Sequence, residues 1–144
     1  DKKCLVGATK DAVKIAEEIR KEYDNFGLTI DLSHLPLLNE KSKETLNLAK
    51  KYLNHVHVGN CFVKDKSSPA YGDQHPRFTL PGSENNAASL AEFITNLFDI
   101  GYLNKSPKAD PPIVSFEVKP LPDETPESVI ADTKEIWKKA WALV

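Results

Sequence analysis

Three short apolar segments of this chain each carry, near their C-terminal end, a polar side chain that can bind a metal ion. These side chains are Asp31 in FGLTIDLSH, His57 in HVHVGN and Glu117 in PIVSFEV. Because side chains alternate between the two faces of a β-strand, each of them lies on a polar face opposite an apolar one. Carboxylate and imidazole groups bind divalent cations such as Mn²⁺, Co²⁺, Zn²⁺ and Mg²⁺. The pattern predicts one metal site shared by three strand ends.

Further candidate side chains follow two of these segments. His34 stands one short turn after the first. The segment YGDQHPRF contains a D-x-H pair, Asp73 and His75, and Arg77 follows two residues later. These groups can supply ligands or substrate contacts at the strand ends. For the three loop residues, the alternative is that local hydrogen bonds only order the loop.

The residues of the first set also have structural interpretations when each is taken alone. Asp31 is compatible with a turn residue after a strand, and Glu117 with an ion pair to Lys119. His55 lies one pleat deeper than His57 and is predicted to be an interior imidazole rather than a ligand. A carboxylate buried without a partner is costly, so Glu117 requires either a cation or an ion pair.

Composition indicates one soluble domain over residues 1–144. Hydrophobic residues make up 40% and charged residues 28% of the chain, which is ordinary for a globular protein. The net charge of −2 gives no support to nucleic-acid binding or to an anionic membrane surface, and no stretch approaches the ~20 apolar residues of a membrane span. Cys4 and Cys61 are expected to be reduced, buried thiols, and the protein is expected to be cytoplasmic.

Hydrophobic periodicity predicts helices that alternate with strands. The predicted helices cover 9–23, 41–53, 86–100 and a last one from Pro126; the predicted strands cover 26–32, 54–61 and 113–118. Thr9 is the predicted N-cap of the first helix. The last helix is predicted to bury Trp137 and Trp141. Strands separated by helices pair in parallel through right-handed crossovers.

The strand faces favour one α/β architecture over another. Strands covered by helices on both sides are apolar on both faces, whereas these are apolar on one face only. In a closed barrel the other face points inward, and its C-terminal rim carries the active site. We therefore predict a partial (β/α)8 TIM barrel with about three parallel strands and four helices; an open doubly wound sheet is the alternative. A complete barrel takes ~250 residues, so the chain is interpreted as the last part of one.

At these motifs the chain resembles the xylose isomerase-like TIM-barrel superfamily, the sugar phosphate isomerase/epimerase family. The D-x-x-H strand end, the H-x-H strand, the extended loop and the final strand ending in Glu match the C-terminal half of that barrel. The resemblance implies that Asp31, His57 and Glu117 bind a divalent metal and that Glu117 is also the catalytic acid or base. It further implies that His34 contacts the substrate. His75 and Arg77 are also predicted to bind substrate, with Arg77 or Lys64 in place of an arginine that the family often has.

The implied function is a metal-dependent sugar or sugar-phosphate isomerase or epimerase that transfers a proton next to a carbonyl through an enediolate. Members of the family have a fourth ligand, a Glu on an earlier strand, which has no counterpart here, and the position of a frequent substrate-binding Arg is Val63. We therefore expect a truncated chain that is inactive alone. It is expected to self-associate or to combine with the N-terminal half of the barrel, because open strand edges tend to pair.

Two other functions remain open. The chain also resembles the endonuclease IV group, in which a similar series of residues binds three zinc ions that act on a phosphodiester. That series is, in order, Asp31, His34, His57, Asp73, His75 and Glu117. The acidic balance of charge disfavours a nucleic-acid substrate. A non-catalytic sugar-binding module is the other alternative.

Overall fold

The computed structural model describes residues 4–104 and 111–144. This part of the chain contains five helices and three strands. The elements are α1 (Thr9–Ile19), β1 (Leu28–Asp31), α2 (His34–Leu38), α3 (Ser42–Ala49), β2 (Leu53–Val58), α4 (Ala87–Asp99), β3 (Ile113–Phe116) and α5 (Pro126–Trp141). The predicted α/β class with parallel strands is confirmed. The four predicted helices correspond to α1, α3, α4 and α5, and α2 is an additional one whose five residues are too few to show helical periodicity.

The three strands form a single parallel sheet in the order β1-β2-β3. Asp31 is the register partner of His57, and His57 is the register partner of Ser115. Parallel strands present their carboxyl ends at the same edge of a sheet. The last residues of β1, β2 and β3 therefore lie side by side.

The long helices pack as neighbours in chain order, α1 against α3, α3 against α4 and α4 against α5. Together with the sheet they enclose the hydrophobic core. Its fully buried members include Leu46 of α3, Val56 and Val58 of β2, and Phe93 of α4. On the opposite side of β2, His55 and His57 are only half-buried, so the sheet has one apolar face and one polar face.

Several predicted details differ from the structure. Ala8, and not Thr9, is the N-cap of α1, because the Thr9 N–H and hydroxyl both donate to the Glu40 carboxylate, at 2.9 and 2.6 Å. Helix α3 ends early, where the Tyr52 N–H turns back to the Ala49 carbonyl at 2.8 Å. Trp141 is 40% exposed and not buried, although its ring meets Trp137 edge-on with centroids 5.7 Å apart.

No helix among the described residues is both long enough and apolar enough to cross a bilayer.

Candidate metal centre

The carboxyl ends of the three strands bring the predicted metal ligands together. Asp31 ends β1 and His57 lies beside it on β2. Glu117 follows β3 directly, and its N–H donates to the Val58 carbonyl at 3.0 Å, which continues the sheet by one residue. The ligand atoms of the Asp31, His57 and Glu117 side chains lie within 4.8 Å of one another. The structure thus brings together all three residues predicted to bind metal.

Asp31 is the most unusual member of this cluster. It is only 6% exposed, and its Oδ1 accepts a hydrogen bond from the Ser33 N–H at 2.8 Å, while its Oδ2 is buried without a hydrogen-bond partner. Burial and the neighbouring Glu117 side chain raise the pKa of Asp31, against the opposing effect of the hydrogen bonds from Ser33. A buried carboxylate oxygen with no donor is costly, so an unmatched atom of this kind needs an explanation.

Three imidazoles surround that unmatched oxygen at the same distance. His34 Nε2, His57 Nδ1 and His75 Nδ1 each lie 3.9 Å from Asp31 Oδ2. This separation is too long for a hydrogen bond. It is short enough for two ligands of a shared ion, because metal–ligand bonds of about 2.0–2.2 Å allow ligand atoms to lie up to about 4.4 Å apart. The donor set and its spacing therefore fit a divalent cation.

Glu117 contacts two of these imidazoles. Its Oε2 accepts a short hydrogen bond from His57 Nδ1, and its Oε1 lies 3.7 Å from His75 Nε2. Burial of Glu117 opposes ionisation, but the interactions with the Asp31 and His57 side chains and the charge of His75 outweigh it, so the pKa of Glu117 is lowered. Lys119 does not pair with Glu117; its Nζ donates to Gln74 at 3.2 Å.

The loop predicted from YGDQHPRF adds a second group of ligand atoms. Asp73 Oδ1 accepts from His75 Nε2 at 2.7 Å and from His34 Nε2 at 3.0 Å. Asp31, His34 and His75 themselves form a second candidate set whose ligand atoms also lie within 4.8 Å of one another. The two candidate sets share Asp31, so the strand ends and the loop form one continuous cluster.

Local backbone geometry holds this loop against the strands. His75 has a left-handed backbone with φ of 51°, which is uncommon for a residue other than glycine. Its carbonyl accepts the Lys119 N–H at 2.8 Å, and its Nδ1 lies 3.2 Å from the Ser33 hydroxyl. The imidazole is therefore fixed at both ring nitrogens and by its backbone.

Two buried amides were not predicted as part of the site. Asn60 Oδ1 accepts from the N–H groups of Cys61 and Asn85, at 2.9 and 2.8 Å. Asn85 Nδ2 in turn donates to the carbonyls of Leu32 and Gly59, at 3.2 and 3.1 Å. These bonds tie the segments after β1 and β2 to the loop before α4. The only sequence signal for this role is that Asn60 follows a strand. An amide at such a position is too common to predict a buried network.

The predicted substrate-binding residues have different surroundings. The His34 side chain is 44% exposed and borders open space, whereas that of His75 is 11% exposed and faces the carboxylates. Arg77 is not brought into the cluster, because its Nε donates to Glu124 and its guanidinium NH to Thr79, both at 2.6 Å. His55 bonds through Nε2 to the Ser115 hydroxyl at 2.8 Å, in agreement with the prediction of a hydrogen-bonded interior imidazole.

Comparisons with protein-family models, curated proteins and solved structures found no match to this chain.

Proposed function

We propose that this cluster is the divalent-metal centre of a sugar or sugar-phosphate isomerase or epimerase. Asp31, His57 and Glu117 are the proposed metal ligands, and Glu117 is also the proposed acid or base. The observation that carries the proposal is the buried, unpartnered Asp31 Oδ2 with three imidazole nitrogens at 3.9 Å. A cation bound by Asp31, His57 and Glu117 would give that oxygen a partner.

The charge of the cluster supports a cation as its missing component. Three carboxylates, from Asp31, Asp73 and Glu117, converge on it. Their neighbours are imidazoles, which are not permanent cations at neutral pH. Buried carboxylates are stable when they are paired or when they bind a metal. A divalent ion would add positive charge to this cluster of carboxylates.

Glu117 has the exposure that proton transfer requires. Its side chain is 41% exposed, whereas that of Asp31 is only 4% exposed, so Glu117 is the carboxylate that a substrate can reach. Its carboxylate would take a proton from the carbon next to a ketose carbonyl, and return of that proton to the neighbouring carbon gives isomerisation. Epimerisation needs a second acid on the opposite face, a role that the resemblance gives to the Glu on an earlier strand. A bound divalent cation would supply Lewis acidity toward the oxygen that gains negative charge.

The finer fold that we propose is a partial (β/α)8 barrel. In the described residues the sheet order follows the chain order and the helices form one layer, as in a barrel. One half of a doubly wound sheet also has three strands in sequential order. The observation that favours the barrel is the polar face with His55 and His57, which is only half-buried, whereas a doubly wound sheet has helices on both faces. Strand β3 is an open edge on which Ile113 is 50% exposed. We propose that a second copy or the N-terminal half of a barrel covers it, and light scattering that shows a stable monomer would contradict self-association.

A metal titration with a matched pair of histidine variants tests the site. We expect stoichiometric binding of Mn²⁺, Co²⁺ or Zn²⁺ by the native chain. His57→Gln should lower the affinity by at least about tenfold, since even indirect partners of a metal contribute that much. His55→Gln is the control, because His55 lies on the same strand and face but bonds to Ser115. Equal losses in the two variants would contradict the assignment.

The reaction is tested separately by isotope exchange. Ketoses and ketose phosphates are incubated in D₂O with the metal-loaded protein in its native assembly. We expect deuterium to enter the carbon next to the carbonyl, and this exchange to require the metal. Metal binding without exchange on any ketose would leave the centre in place and contradict the isomerase assignment.

One observation favours a second candidate, a multi-zinc phosphodiesterase of the endonuclease IV type. The Asp31, His34 and His75 set provides a place for a further ion beside the first, with Asp73 Oδ1 within 3.0 Å of both imidazoles. Several ions would activate a water molecule and stabilise the charge that develops on a phosphodiester. The number of ions distinguishes the two: one per chain favours the isomerase, and two or three favour the phosphodiesterase.

A further inference from the structure

Ser33 is a fully buried serine beside the residue that the two candidate ligand sets share. Its N–H donates to Asp31 Oδ1 at 2.8 Å, and its hydroxyl lies 3.2 Å from His75 Nδ1. Gly59 leaves room for this contact, because an added Cβ there would stand 3.4 Å from Ser33 Cβ and 3.1 Å from His75 Nδ1. Ser33 thus contacts the shared carboxylate of both sets and the loop imidazole of the second.

Both ring nitrogens of His75 have hydrogen-bonding partners. Nε2 lies 2.7 Å from Asp73 Oδ1, and because an ionised carboxylate only accepts, Nε2 carries the hydrogen of that bond. In a neutral imidazole Nδ1 is then the acceptor, and the Ser33 hydroxyl donates to it. A lone pair that accepts this hydrogen bond is not available to a metal ion. Ser33 therefore occupies the nitrogen that lies 3.9 Å from Asp31 Oδ2.

His57 differs from His75 in this respect. Its Nδ1 faces the Glu117 carboxylate and lies 3.9 Å from Asp31 Oδ2, so its neighbours are the other two proposed ligands. An ion in the first set replaces contacts among the members of that set. An ion in the second set that uses His75 Nδ1 must also break the hydrogen bond from a buried serine. The net contribution of such a bond corresponds to up to about tenfold in an equilibrium constant.

We infer that Ser33 is a specificity-determining residue of the proposed centre, whose hydroxyl holds the His75 ring out of metal coordination and so favours one ion per chain over two. The first candidate set then fills before the second, which fills only at a higher metal concentration. This inference deepens the proposed function and rests on it.

Zinc titration of Ser33→Ala tests the inference. This variant keeps the N–H that donates to Asp31 and removes only the hydroxyl, so the buried Nδ1 of His75 loses its donor. We expect native affinity for the first ion and about tenfold tighter binding of a second, counted by native mass spectrometry and measured by calorimetry. A purely structural role of Ser33 would not strengthen the binding of either ion.

Ser115→Ala is the matched control. It removes another serine hydroxyl bonded to an imidazole, that of His55, whose Nε2 lies 2.8 Å away and belongs to neither candidate set. Both zinc affinities of this variant should be native. A second ion that binds Ser33→Ala no more tightly than the native chain would overturn the inference, as would two ions bound with equal affinity by the native chain.

The imidazole nitrogens provide a measurement that needs no variant. In ¹⁵N spectra of the native chain, one equivalent of Zn²⁺ should shift the ring signals of His57 strongly and those of His75 only weakly. A second equivalent added to Ser33→Ala should shift the His75 signals as well. A His75 shift as large as that of His57 at the first equivalent in the native chain would contradict the inference.

The same titration separates the inference from the proposed function. A native chain that binds no zinc contradicts the proposed metal centre, and the inference with it. One ion bound by the native chain, without tighter binding of a second by Ser33→Ala, contradicts only the role given to Ser33.

Discussion

Asp31 Oδ2 and His57 Nδ1 lie 3.9 Å apart on paired residues of neighbouring parallel strands, and no hydrogen bond joins them. The pairing fixes the two backbones, so both side chains start from adjacent positions in the sheet. A shared ion fits that gap, whereas a direct bond does not. This spacing is the one that the proposed metal centre requires.

Replacing Asp31 by Asn should remove metal binding without unfolding the chain. Asn keeps an oxygen that can accept the Ser33 N–H, while the buried charge is lost. We expect the melting temperature of the metal-free protein to be unchanged or higher, because burial disfavours the Asp31 carboxylate. The native chain should gain about 2.7 kcal/mol at a metal concentration 100 times its Kd, and the variant almost nothing.

Thermal unfolding with and without Zn²⁺ or Mn²⁺ measures this difference. Asp24→Asn, at an exposed position outside the cluster, is the control and should keep the full metal-induced shift. An Asp31→Asn protein that is still stabilised by metal as strongly as the native chain would exclude Asp31 as a ligand.

Gly59→Ala should displace Glu117. A Cβ at Gly59 would stand 2.4 Å from the Glu117 backbone oxygen and 3.1 Å from His75 Nδ1, so the end of β3 must shift. We expect a loss of about 1–3 kcal/mol in the free energy of unfolding, as for overpacked cores, together with weaker metal binding. Denaturant unfolding and metal titration on the same sample provide both values.

Gly101→Ala is the matched control for this substitution. Gly101 has φ of +78°, and no atom lies within 4 Å of the point that an added Cβ would occupy, so alanine there is strained only through its backbone. The expected loss of stability is similar, about 1–2 kcal/mol, but metal affinity should not change. If both variants lose metal affinity equally, general destabilisation and not Glu117 is responsible.

The alternation of apolar and polar residues was sufficient to predict three parallel strands and the convergence of Asp31, His57 and Glu117 at their ends. It works because side-chain faces and strand ends depend on local periodicity and on parallel pairing alone. The left-handed backbone of His75 and the place of Arg77 beside Glu124 depend on contacts between distant segments. Such contacts leave no periodic trace in the sequence.

The two cysteines should differ in reactivity. Both were expected to be buried, but Cys4 is exposed and only Cys61 is buried. Burial raises the pKa of the Cys61 thiol to about 12, with further contributions from the charges of Glu84, Asp31 and Asp73. The thiolate is the reactive form. At pH 8 a disulfide reagent should therefore modify one thiol per folded chain and the second only after unfolding; rapid reaction of both would contradict the burial of Cys61.

The raised pKa of the Cys61 thiol predicts that the folded protein loses stability at alkaline pH. The pKa of Cys61 is raised in the folded state above its ordinary value of 9.0, so the folded chain retains a proton that the unfolded chain releases. Stability from this group is complete below about pH 9 and decreases as the pH rises toward 12. Cys61→Ala should flatten that decrease, which denaturant unfolding between pH 8 and pH 10.5 can measure. An identical slope in the variant would assign the alkaline loss to other groups.

The Arg77–Glu124 pair should make the stability of the protein depend on pH in acid. Burial opposes ionisation of Glu124, but the Leu121 N–H and the Arg77 guanidinium outweigh it, so the pKa of Glu124 is lowered. A lowered pKa contributes stability that is present above the ordinary value of 4.5 and is lost as the pH falls below it. Glu124→Gln should cost about 1 kcal/mol at pH 7 and progressively less toward pH 3, because charge-assisted bonds to a partly buried carboxylate are lost.

Glu135→Gln is a suitable comparison for this pair. Glu135 pairs with Lys138 on the exposed surface of α5, where such pairs contribute little. Denaturant unfolding from pH 3 to pH 7 should therefore show an acid-dependent difference from the native chain for Glu124→Gln only.

Because Arg77 joins the loop that carries Asp73 and His75 to the start of α5, Glu124→Gln should also weaken metal binding by the second candidate set more than by the first. Equal metal binding by Glu124→Gln and the native chain, with the acid effect intact, would mean that the pair stabilises the fold without ordering the site.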